Sequence, residues 1–223
     1  MIRVNRKPMA DEARARYEAR VLGPGRRWLE ANPPATTNAG EPSPKPKRLP
    51  DLWREIRDDL AHAFHERCAY TAMWLSHPGE IDHFVPIDED RSRAYDWDNF
   101  RYCAGWINSS KQSLRSSQIL DPLEVEDDWF EIVLPSLELR VTDRCPEPLR
   151  SRAEYMLDRL HLRNGRHVIR YRQQFYAQYH PDDPSTLALL DKWAPLLARA
   201  IRKQQEAVTS SPEASQLQNP TRS

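Results

Sequence analysis

Glycine is scarce in this chain, at 6 of 223 residues. So few glycines argue against a Gly-rich phosphate loop and against an all-β fold full of tight turns. Cysteine is nearly as sparse. Cys68, Cys103 and Cys145 are odd in number and widely spaced, which excludes a disulfide framework and fits a reducing compartment. No apolar run reaches the roughly 18 residues of a membrane span. The opening MIRVNRKPMADEARARYEAR has no apolar core of signal-peptide length. A soluble, cytoplasmic protein without membrane association is therefore expected. There is no excess charge of either sign, with 33 Lys plus Arg against 33 Asp plus Glu. Non-specific nucleic-acid binders are usually basic, so the balance weighs against a basic surface overall while leaving room for a local basic groove.

Proline is abundant at 19, tryptophan numbers 7, and 39% of the residues are hydrophobic. A real core can be buried. The length suits one ordinary domain, or a small catalytic core with helical additions.

Along the chain, residues 1–5 read as a short strand. Residues 10–31 are helical in pattern, through Ala13, Tyr17, Val21, Trp28 and Leu29, with a break expected at Gly23-Pro24-Gly25. Residues 32–48 hold 5 prolines and no large apolar side chain, the composition of a surface loop or disordered linker. Pro50 opens a helix whose apolar face is Leu52, Trp53, Ile56, Leu60, Ala63 and Phe64. Strands are expected at 80–87 and 99–104, and a short polar helix at 107–118. A hairpin is expected over 129–142, split at Pro135-Ser136. Three helices should follow: 147–162, stopped by Asn164-Gly165; about 166–179; and one long helix from Pro184 to about 207. The tail from Thr209 is polar and reads as disordered.

Chemistry concentrates in Asp82, His83, Asn99, Asn108 and Lys111. A hairpin followed by a helix can bring these around one point. Phosphodiester hydrolysis needs a hard cation on oxygen ligands, a neutral imidazole to take a proton from water, and a partner that fixes the imidazole. Asp82 and Asn108 offer oxygen, and His83 offers the base. Neighbours on a strand point to opposite faces, so a bend or bulge is expected near Asp82-His83. Asn108 alone reads equally well as a helix N-cap. His62, His65 and His77 are better read as solvated or capping residues than as a second metal site. The run Arg159, Arg163, Arg166, Arg170 and Arg172 fits either a nucleic-acid groove or a solvated helix face.

The pattern IDHFVPI, then W-D-N-F, then N-S-S-K resembles the HNH (ββα-metal) endonucleases. The flanking C-A-Y-T and I-L-D-P are similar to the subfamily that includes the nuclease subunit of Septu-type anti-phage systems. The resemblance covers about residues 64–123. It implies an α+β chain with a ββα-metal core embedded in a mostly helical domain. It implies one Mg²⁺ or Mn²⁺ ion on Asp82 and Asn108, His83 as general base, and Asn99 orienting it. Lys111 would contact phosphate, with Arg115 as a further nucleic-acid contact. The expected activity is hydrolysis of DNA, in anti-phage or mobile-element defence, with an ATPase subunit as a possible partner. The alternative is an inactive HNH-like scaffold binding nucleic acid or a protein. Relatives often hold a structural zinc on two cysteine pairs. Here Thr71 and Ile107 stand where two of those thiols would be. Two thiols cannot saturate a tetrahedral site, so no structural zinc is expected. Trp74, Trp97 and Trp106 are expected to pack in its stead. The segments expected are 1–49 (N-terminal helices and linker), 50–125 (nuclease core), 126–208 (hairpin and C-terminal helices) and 209–223 (tail).

Overall fold

The computed structural model describes residues 3–33, 47–112 and 114–210. The linker and tail expected from composition fall largely outside them, as do the first two residues of the expected opening strand. Arg3, Val4 and Asn5 are not in a strand. The described residues are a mixture of helices and two two-stranded antiparallel sheets, an α+β chain.

The chain forms two compact units. One comprises Asn5–Cys68 and Leu75–Ser117; the other comprises Met1–Val4, Ala69–Trp74 and Gln118–Ser223. This division differs from the boundaries read in the sequence. The N-terminal helices share a unit with the Asp82–Lys111 segment, while Gln118 onward belongs with the hairpin.

In the first unit, α1 (Asp11–Tyr17), a π turn (Glu18–Leu22) and α2 (Gly23–Ala31) follow without interruption. The break expected at Gly23-Pro24-Gly25 does not occur. Pro24 lies in the first turn of α2, and having no N–H it donates no bond back into the π turn. Its ring would collide with a carbonyl four residues back in a regular helix; the widened π turn just before it relieves that conflict. Gly25 is required for packing, because a Cβ there would stand 2.4 Å from the Tyr95 ring. A 3₁₀ turn (Leu52–Ile56) then leads into α3 (Arg57–Ala63). Ile56, Leu60, Ala63 and Phe64 are buried as their spacing predicts. Strands β1 (Glu80–His83) and β2 (Phe100–Cys103) pair antiparallel, with Asp82 opposite Arg101 and His83 opposite Phe100. Helix α4 (Gly105–Lys111) follows directly. It starts earlier and stops sooner than the 107–118 expected, because Gln112 takes a left-handed backbone at φ 47°.

In the second unit, β3 (Phe130–Val133) and β4 (Glu138–Val141) form the expected hairpin. Helices α5 (Glu147–Arg159), α6 (Arg166–Tyr176), α7 (Pro184–Trp193) and α8 (Pro195–Thr209) follow. Helix α5 ends before the Asn164-Gly165 signal: His161, not the glycine, takes the left-handed conformation at φ 53°, and Gly165 instead precedes α6. The single long helix expected from Pro184 is two. Ala194 between them has φ −148° and ψ 63°, because the residue before a proline is pushed out of the helical region.

The basic run is not a uniformly solvated face. Arg163 pairs with Asp158 at 2.8 Å and with Glu154 at 2.5 Å. Arg172 is 1% exposed. Its guanidinium donates to the Leu137 carbonyl at 2.8 Å, to that of Arg163 at 3.0 Å and to that of Leu162 at 2.8 Å. Burial lowers its pKa to about 10, so it stays a cation at neutral pH. Among the described residues no helix is long and apolar enough to cross a membrane.

Candidate active site

Strand β1 pairs regularly with β2 from Glu80 to His83, then bends at Phe84 and Val85. There is no bulge within the strand. Asp82 and His83 nevertheless both line one open depression, of about 600 Å³, together with Trp53, Arg91 and Asn108.

The His83 ring sits edge-on to two aromatic rings, with centroid distances of 4.7 Å to Trp53 and 5.2 Å to Phe100. Its Nε2 lies 2.8 Å from the Ala94 carbonyl oxygen. A carbonyl only accepts, so Nε2 carries the proton and Nδ1 is the basic nitrogen. Burial lowers the imidazole pKa below its ordinary value; the Ala94 bond and the Asp82 charge oppose this, and the Lys111 charge adds to it. His83 is therefore neutral at pH 7, as a base must be.

Asn99 has no exposed surface, and its amide does not meet His83. Its Oδ1 accepts from the Val85 N–H at 2.7 Å, while Nδ2 donates to the carbonyls of Val85 at 3.0 Å and Arg93 at 3.1 Å. It ties the start and the middle of the β1–β2 connection to the residue just before β2. The residue after Arg93 is Ala94, whose carbonyl fixes His83. Asn99 is thus linked to His83 only indirectly, through the turn.

Lys111 differs most from expectation. It is 1% exposed, and its ammonium donates to Asp82 Oδ1 at 2.9 Å and to the His83 carbonyl at 2.7 Å. A side chain sealed in this way is not presented to a phosphate. The physical reason is that Asp82 is itself only 4% exposed, and a buried carboxylate needs a partner. Arg115, by contrast, is exposed.

Asn108 is not an N-cap. That position belongs to Ala104, in extended conformation, and Asn108 lies further along α4. Its Nδ2 donates to Glu80 Oε2 at 2.8 Å. Glu80 is not among the residues the sequence pattern singles out, although it stands two residues before Asp82 and so shares its face of the strand. Gly105 makes room for it: a Cβ there would lie 2.8 Å from a Glu80 carboxylate oxygen.

Cys68 and Cys103 are both fully buried. The Ala104 N–H lies 3.5 Å from Cys68 Sγ. Burial pushes the Cys103 thiol well up, and the charge of Asp82 adds to this. Two of the tryptophans expected beside them pack elsewhere. Trp74 stacks on Trp193 at 6.0 Å, and Trp97 meets the Tyr17 ring at 6.0 Å and the Arg6 guanidinium at 5.4 Å. Ile107, where the resemblance would put a thiol, is fully buried on α4. Strong chelators should leave the melting temperature unchanged; elemental analysis finding one zinc per chain would overturn this. His65 Nε2 meets the Asn5 carbonyl at 3.1 Å and His77 Nδ1 meets Ser76 at 2.9 Å. Among the described residues no group of three or more His, Cys, Asp and Glu is placed to hold a metal ion.

No family model, curated protein or solved structure matches this chain.

Proposed function

We propose that the chain is a metal-dependent endonuclease of the HNH type, hydrolysing phosphodiester bonds of DNA. The observation that carries this reading is the convergence of Asp82, His83 and Asn108, from a strand–strand–helix segment, on one depression, with His83 held so that Nδ1 is its basic nitrogen. The donors near this point are oxygens: the carboxylates of Asp82 and Glu80, and the Oδ1 of Asn108, which has no hydrogen-bond partner among the described residues. Such a set fits Mg²⁺ or Mn²⁺ and not a thiophilic ion. When bound, the ion offsets negative charge on the phosphate and the leaving oxygen. His83 takes the proton of the attacking water, and Ala94 holds the ring in place. The resemblance to defence nucleases supports a role against phage or mobile elements in the cytoplasm, with an ATPase partner.

A second reading, an inactive scaffold that binds nucleic acid or a protein, is favoured by one contact. The Lys111 ammonium already neutralises Asp82. Incubation of plasmid with Mg²⁺ or Mn²⁺, with and without EDTA, separates the two. Cleavage abolished by EDTA is the expected result, and no cleavage with either ion would leave the scaffold. Asp82→Ala and Asn108→Ala should each weaken Mg²⁺ binding in calorimetric titration; wild-type affinity in both would remove them as ligands.

A further inference from the structure

With Lys111 sealed inside, the depression needs another cation if it is to receive a phosphate. Arg91 lines it. Its guanidinium lies over the Trp28 ring, 5.0 Å from the centroid, and its Nη2 donates to the Lys47 carbonyl at 2.9 Å. Its Nε is buried without a hydrogen-bond partner, and Arg91 forms no ion pair among the described residues. Several arginines of this unit do have a carboxylate: Arg6 has Asp98, Arg16 has Asp59, Arg20 has Glu55 and Arg93 has Asp96. A guanidinium that lies over an aromatic ring but is left without an anion is prepared for an external one. Its position in the chain also matters. Arg91 opens the 3₁₀ turn Arg91–Arg93, and its carbonyl accepts from the Ala94 N–H at 3.2 Å. The same Ala94 presents its carbonyl to His83. One short turn therefore carries both the cation and the group that orients the base.

We infer that Arg91 binds a backbone phosphate of the nucleic-acid substrate at this site, in the role the sequence suggested for Lys111. This inference rests on the nuclease reading. The test is binding of a fluorescein-labelled DNA duplex by the full chain, measured by anisotropy at several salt concentrations. A His83→Ala background prevents cutting. Arg91→Ala should weaken binding roughly ten- to a hundredfold, the ordinary worth of a charge-assisted hydrogen bond. It should also reduce the slope of log K against log salt by about 0.9, the value expected for each phosphate neutralised. Arg91→Lys should restore the slope while recovering the affinity only in part, because an ammonium lacks the planar fork. A merely structural arginine would not move the slope in this charge-dependent way. An unchanged slope in Arg91→Ala, or no duplex binding by the parent chain, overturns the assignment. The two readings fail separately. If the wild type leaves plasmid intact but the slope shifts, the phosphate site stands without the nuclease. If plasmid is cut and the slope is unmoved, the nuclease stands without Arg91.

Discussion

Replacing His83 by alanine should lower the rate of plasmid cleavage by about 10²–10⁴-fold, the usual contribution of a general base. Metal binding should be nearly unaffected, since the imidazole is not among the oxygen donors. The ring packs edge-on to Trp53 and Phe100, so alanine also leaves a small void, and some loss of stability is expected from that alone. His83→Gln fills more of the space and should be equally inactive with less loss of stability. A rate within twofold of wild type in either variant would remove His83 as the base. The size of the effect follows from geometry: the Ala94 carbonyl holds Nε2–H, so the other nitrogen is the only one that can accept a proton.

A second large effect is expected on stability. Lys111→Ala leaves Asp82 buried with its ammonium gone, and removal of one partner of a buried ion pair typically costs about 3–5 kcal/mol. Urea denaturation should register this as a lower midpoint with an unchanged slope. Replacing both partners together, Asp82→Asn with Lys111→Met, should recover much of the loss, because no charge is then left unpaired. A single Lys111→Ala variant as stable as wild type would show that the pair contributes nothing to the fold. Lys111→Ala also bears on the scaffold reading. If the ammonium stands in place of a metal ion, its removal should raise Mg²⁺ affinity instead of leaving it unaltered.

What the sequence makes legible and what it hides follow from how local each signal is. The two strands and the helix around Asp82, His83 and Asn108 can be read because alternation, a proline and a polar helical run are short-range patterns. The β3–β4 hairpin is legible for the same reason. The π turn before Pro24 is not, because the glycines and proline signal a break equally well whether the chain leaves the helix or widens by one residue. The split of the last helix at Ala194 is available in Pro195, whose effect on the preceding residue is local, but the apolar periodicity running through both helices masks it. The fate of Lys111 cannot be read locally at all. Whether a lysine three residues after an asparagine faces solvent or a carboxylate depends on which side of α4 packs on β1. Asn99 is similar: its spacing marks it as belonging to the site, but only the structure shows that its amide fastens Val85 and Arg93 and reaches His83 through the turn between them.

Arg172 ties together parts of the second unit that lie far apart in sequence. Its donors meet Leu137 in the hairpin connection and Leu162 and Arg163 in the segment after α5, while its own backbone belongs to α6. None of those carbonyls can separate from the others without leaving a buried cation short of acceptors, which is costly. The hairpin, the end of α5 and α6 should therefore open as one event. In native-state hydrogen exchange their slowest amides should share a single opening free energy and a single denaturant dependence, where three independently stable pieces would give three.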